Sequence, residues 1–129
     1  MKKLLFLLLF PCIHSACKKE KTVAPVPQCD VKGTYAGNAT ASGGGSSPIA
    51  YQLRENNFAV GSVTVGGQPT TFGGYRNTCD SVIISSFYGG NNSYYLLKGI
   101  LTNNRTVLSG TFSNLTTPSD FGTFTMNKQ

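Results

Sequence analysis

From residue 32 onward no 3.6-residue apolar period is sustained. The hydrophobic positions fall instead into short runs rich in β-branched and aromatic residues. Gly and Asn clusters separate these runs at about ten-residue spacing, the pattern of a β-sandwich or barrel. The pattern predicts strands over 32–40, 49–55, 58–65, 69–76, 81–88, 93–102, 106–114 and 120–127. Eight strands in a meander predict an all-β fold, a closed antiparallel up-and-down barrel without exposed edges. A two-sheet β-sandwich is the alternative.

The connections fall into two sets. Asn56-Asn57, Asn77-Thr78-Cys79 and Asn103-Asn104 share one end of the meander and read as tight turns, because Asn tolerates positive φ. The other end carries Ala41–Pro48, Gly66-Gly67-Gln68, Gly89–Asn92 and Leu115–Ser119, which read as longer loops. Function tends to sit in loops presented by a rigid scaffold, so this open end is the candidate face. Treating Asn103-Asn104 as a two-residue turn sets Gly99 opposite Leu108, Leu97 opposite Gly110 and Tyr95 opposite Phe112. Small against large suits a narrow interior. The same register puts Val82, Ile84, Ser86 and Tyr88 inside, and Ile83, Phe87, Tyr94, Leu96, Ile100 and Val107 outside. Phe87, Leu96, Ile100 and Val107 then form a candidate interface, more apolar than a lone soluble barrel needs.

Ahead of the strands lies a different kind of segment. Lys2 and Lys3 precede an unbroken apolar run, Leu4 to Phe10, and Ser15-Ala16 supply small residues before a cut. Residues 1–16 therefore read as an export signal, too short to span a bilayer as a mature helix. Residues 18–28, with Pro25 and Pro27, read as an extended tether reaching about 30 Å. The folding domain is residues 29–129.

This division changes the charge picture. The chain of 129 residues carries +6, but most of that belongs to the export segment and tether. In the domain, Lys32, Arg54, Arg76, Lys98, Arg105 and Lys128 stand against Asp30, Glu55, Asp80 and Asp120, leaving +2. The basic residues are scattered, which excludes nucleic acid as a partner, since that needs a concentrated patch.

Ser15-Ala16-Cys17 resembles the end of a bacterial lipobox, and Lys18-Lys19-Glu20-Lys21 resembles the polar tether that follows it. The resemblance implies that Cys17 becomes the first mature residue and carries acyl chains such as palmitate. It implies a lipid anchor in the cell envelope, at the outer membrane of a Gram-negative bacterium. Cys12 then leaves with the signal and Cys17 takes lipid. Cys29 and Cys79 remain in an oxidising compartment, where a disulfide is expected. Both lie at the tight-turn end, so residues 29–32 would cross the base of the barrel as a plug.

Gly33-Thr34-Tyr35 in strand one, the Gly-rich meander and the closing Gly122-Thr123-Phe124 resemble the calycins, the lipocalin and avidin group of barrels. That resemblance implies a ligand- or protein-binding barrel rather than an enzyme.

The chemistry of the residues agrees. The single His, His14, lies in the export segment, so no Ser-His or Cys-His nucleophile is available to the domain. Two Cys without His do not complete a metal site, and no cofactor is expected. Gly43-Gly44-Gly45-Ser46-Ser47 lacks the Lys and helix of a phosphate loop and reads as a flexible connection. Tyr88, Asn91, Asn92, Tyr94 and Phe121 gather aromatic faces and amides near the open-end loops, a candidate site for a small molecule, glycan or peptide. The expectation is a non-catalytic envelope lipoprotein binding at those loops. The alternative is an inhibitor or structural envelope protein acting through the apolar exterior.

Overall fold

The computed structural model describes residues 29–63 and 70–129. The expected export segment, Cys17, the expected tether and Gly66-Gly67-Gln68 lie outside the described residues. Eight strands follow one another: β1 (Gly33–Ala41), β2 (Ser46–Leu53), β3 (Phe58–Val63), β4 (Thr70–Asn77), β5 (Ser81–Tyr88), β6 (Ser93–Thr102), β7 (Val107–Asn114) and β8 (Phe121–Lys128). Each pairs antiparallel with the next, and β8 returns to β1, so the sheet is a closed up-and-down barrel and not a sandwich.

Strands β5 and β6 lie where the sequence pattern puts them, but β2 begins three residues before its expected start at 49. Ser46, Ser47 and Pro48 pair with Thr40, Ala39 and Asn38, so partnership with β1 overrides their weak strand preference. The expected long loop Ala41–Pro48 shrinks to a turn over 42–45, held by Ala41 N–H to the Gly45 carbonyl at 2.8 Å. The expected contrast between short turns at one end and long loops at the other is correspondingly reduced.

The β6–β7 register also differs. Asn103, Asn104 and Arg105 all take left-handed φ, at 49°, 53° and 66°. Thr106 closes on the Asn103 carbonyl through its N–H at 3.1 Å and its hydroxyl at 2.6 Å. The turn therefore occupies 103–106, and Thr102 pairs with Val107 rather than Arg105. Leu97 meets Phe112, Gly99 meets Gly110, and Tyr95 meets Asn114. The slip is two residues, so every side chain keeps its expected face: Val82, Ile84 and Ser86 are buried, with Tyr88 half-buried.

Eight strands enclose a cylinder just wide enough for side chains. Tyr51 fills its middle: the ring reaches from β2 to β5, where its hydroxyl lies 2.7 Å from Ser86 Oγ. The Cβ of any residue at 61 other than glycine would overlap the Tyr51 ring, so Gly61 is what admits the tyrosine. Around it Ile49, Leu53, Ile84, Leu97, Leu108, Phe124 and Met126 are buried.

The tight-turn end is sealed by the segment before β1. Val31 is fully buried, and its carbonyl accepts a 3.0 Å hydrogen bond from the Tyr35 hydroxyl. Cys29 is disulfide-bonded to Cys79, and its carbonyl accepts from the Asn77 amide at 3.2 Å. Residues 29–32 thus cross the base as a pinned plug. The bridge closes a span of 50 residues, so replacing both cysteines with Ser should cost about 4 kcal/mol in the chain-entropy picture. Equilibrium urea unfolding measures it, and an unchanged midpoint would count against the plug as a stabilising element. Gly61→Ala should lower stability by about 1–3 kcal/mol in the same assay, because the ring cannot retreat from a packed interior.

Candidate functional site

At the end opposite the plug the interior residues become small. Ala39 and Ala41 on β1, Gly45 in the 42–45 turn and Ser47 on β2 leave space that Tyr and Leu fill lower down. The result is a cavity of about 100 Å³ lined by these residues with Ile49, Tyr51, Tyr95, Leu97, Phe112 and Asp120. Its depth follows from the register. Ala41, Tyr95 and Asp120 stand at the rim. Ala39 with its partner Ser47, and Ile49, Leu97 and Phe112, form the walls, and Tyr51 forms the floor.

The rim is organised around Asp120, the last residue before β8. Its Oδ2 accepts from the Tyr95 hydroxyl at 3.3 Å and the Asn114 amide at 3.1 Å. Asn114 is buried, donates also to Ser93 Oγ at 3.4 Å, and caps the following loop by accepting from the N–H groups of Thr116 and Thr117. The loop is folded back by Asn114 N–H to the Asp120 carbonyl at 2.8 Å. The Asp120 carboxylate is thus held in place by two donors and by its own backbone.

The phenols report the same environment. Burial pushes the Tyr95 hydroxyl above its ordinary value, the negative charge and hydrogen bond of Asp120 add to this, and Asn91 and Ser93 partly offset it. Burial raises Tyr51 as well, with the Ser86 and Thr71 hydroxyls opposing. The buried Thr71 hydroxyl approaches that phenol but makes no hydrogen bond of good geometry.

The five residues expected to grip a ligand do not share one face. Asn91 lies on the exposed 89–92 turn and reaches toward Tyr95; Asn92 is exposed there with φ of 55°. Tyr88 points inward and folds beneath the turn, against Gly90. Tyr94 and Phe121 face outward and are 57% and 51% exposed. Tyr95, Asn114 and Asp120, which do line or organise the rim, were not among the expected residues.

The expected interface residues do lie on the outer wall. Phe87 and Leu96 are half-buried, and the Phe87 and Tyr94 rings sit 4.9 Å apart. Phe72 on β4 pairs with Phe87 and extends this row by one strand. Leu115 continues it beyond β6 by donating its N–H to the Tyr94 carbonyl. Ile100 and half-buried Val107 lie nearer the plugged end, separated from the row by Lys98.

The geometry defines a small closed β-barrel, plugged at one end and hollow at the other. The solved structure of a redesigned β-barrel is similar, with a TM-score of 0.58 over 77% of this chain and 91% of that one. The identity is 18%, so the likeness concerns the fold alone. No protein-family model matches the chain, and no curated protein matches it.

Tyr35, Tyr51, Tyr75 and Tyr95 all have raised pKa values. Their contribution to stability is complete below about pH 10, the unfolded value, and is lost as pH rises through the folded values. Absorbance of the buried tyrosinates should therefore appear together with loss of β-sheet ellipticity. Full ionisation of all four in a still-folded barrel would contradict their burial. Tyr51→Phe leaves Ser86 Oγ unpaired and should cost about 1–2 kcal/mol in urea unfolding.

Proposed function

We propose that this protein is a lipid-anchored, non-catalytic component of a bacterial cell envelope that binds a small ligand at the open mouth of its barrel. The observation that carries this reading is the opposition of the two ends. The tether joins the domain at Cys29, beside the plug, while the cavity opens at the far end. An anchor at Cys17 would hold the plugged end toward the bilayer and turn the mouth away from it. The lipobox-like Ser15-Ala16-Cys17 and the polar, Pro-containing tether support the anchor. The calycin-like pattern and an apolar cavity with a few placed polar groups support binding rather than catalysis.

Labelled palmitate should enter the wild-type protein and not Cys17→Ser, and the variant should leave the membrane fraction. Retention of Cys17→Ser in washed membranes would overturn the anchor.

A second reading rests on the outer row Phe72, Phe87 and Tyr94, contiguous across three strands and rich in aromatic surface. Such a patch suits a protein partner, as an inhibitor or structural envelope protein would need. Phe72→Ser with Phe87→Ser should then lower the mass seen by light scattering or abolish a pull-down from the envelope, while leaving the fold intact. An identical mass and an identical set of captured proteins would remove this reading.

A further inference from the structure

We infer that the cavity takes a small primary amine, with its apolar tail among Ala39, Ile49, Leu97 and Phe112 and its ammonium at the rim on Asp120. The inference rests on the proposed ligand-binding role of the mouth and names the chemistry of what enters it.

Three observations converge on this ligand. First, the walls are aliphatic and aromatic, and among the described residues the only carboxylate lining the cavity is Asp120. Second, Asp120 is half-buried and, among the described residues, no Lys or Arg forms an ion pair with it. A carboxylate at the edge of an apolar space lacks the solvation of open water, so a cation that enters beside it gains more than it would at an exposed site. Third, the hydrogen bonds leave the carboxylate half-used. Tyr95 and Asn114 both donate to Oδ2, and Oδ1 has no partner among the described residues. Those two donors fix the carboxylate and leave Oδ1 as an acceptor. The head group that fits is a donor, and a charged donor fits best.

The polarity of the cavity sets the direction of entry. Its charge lies at the rim and its apolar surface lies inside, so the tail enters first and the ammonium stays at the mouth. A lysine side chain of a protein would arrive the other way round, with its charge driven to the Tyr51 floor. The volume sets the size: about 100 Å³ is smaller than a cavity that holds benzene, which leaves room for a tail of about five heavy atoms. A fatty acid fails on both counts, being too long and of the wrong charge. The pKa of the Tyr95 hydroxyl beside Asp120 is raised first by burial and then by the Asp120 charge.

The test uses the full-length protein and three compounds of one length: n-pentylamine, n-pentanol and pentanoate. Binding is followed near neutral pH by NMR shifts of the Leu97 methyl groups and the Phe112 ring. The amine should bind about tenfold or more tightly than the alcohol, as expected for one charge-assisted hydrogen bond, and pentanoate should bind least. Asp120→Asn should bring amine and alcohol to the same affinity. Ala39→Leu, which fills the cavity and keeps the carboxylate, should abolish binding of both. Tyr95→Phe, which removes one donor but not the charge, should keep the preference for the amine and covers the case in which Asp120→Asn does not fold. If the alcohol binds wild type as tightly as the amine, the mouth is a binding site and the amine is the wrong ligand class. If none of the three moves Leu97 or Phe112, the amine and the ligand-binding role of the mouth fall together.

Discussion

Everything in this molecule depends on β8 returning to β1. The pairing of Tyr35 through Ala41 with Lys128 back to Gly122 removes the last free edge of the sheet and fixes the width of the space inside. An eight-stranded cylinder is just wide enough for side chains, so some of its large residues are admitted by a glycine beside them. Tyr51 lies where Gly61 is, and Gly99 lies against Leu108 and Phe124. Where Ala39, Ala41, Gly45 and Ser47 come together no large residue compensates, and that is the cavity. The candidate site follows from the packing rule that builds the rest of the core.

The two ends of the cylinder solve different problems. Closing a sheet sideways does not close it lengthwise, and the interior at each mouth still needs a cover. At the base Val31 supplies it, with the disulfide limiting its freedom and Tyr35, Asn77 and Arg105 taking the polar groups that come with it. At the other mouth the polar atoms of Ser93, Tyr95, Asn114 and Asp120 bond to one another and stop short of filling the space. One end is stabilised by burying chain, and the other keeps a polar rim over an apolar hollow. That asymmetry is the physical basis for the proposal that ligand and anchor belong at opposite ends.

Much of the barrel was legible in the sequence because alternation and turn residues are local signals. The eight runs, the inward set Val82, Ile84 and Ser86, and the outward set Phe87, Tyr94, Leu96 and Ile100 needed only chain order and parity; the pairing of Cys29 with Cys79 also needed the lipobox resemblance that sets Cys12 and Cys17 aside. The rim was not legible, for one identifiable reason. Three successive left-handed residues at Asn103, Asn104 and Arg105 shift β7 by two positions. That shift keeps the faces but exchanges the neighbours, bringing Asn114 rather than Phe112 opposite Tyr95. Asp120 then joins through a loop folded on Asn114, which no strand pattern announces. Phe72 was missed on the outer wall for a similar reason, since its contact with Phe87 depends on the register across the 78–80 turn.

Among the described residues, the apolar space inside the barrel lies at the mouth opposite its disulfide-pinned base. Xenon enters apolar cavities without needing any polar partner, so a crystal of the protein pressurised with xenon tests the claim directly. Xenon density is expected between Ala39, Ile49, Leu97 and Phe112, and none in the interior beside Val31, Tyr35 and Tyr75. Xenon at the plugged base, or none at the mouth, would contradict it.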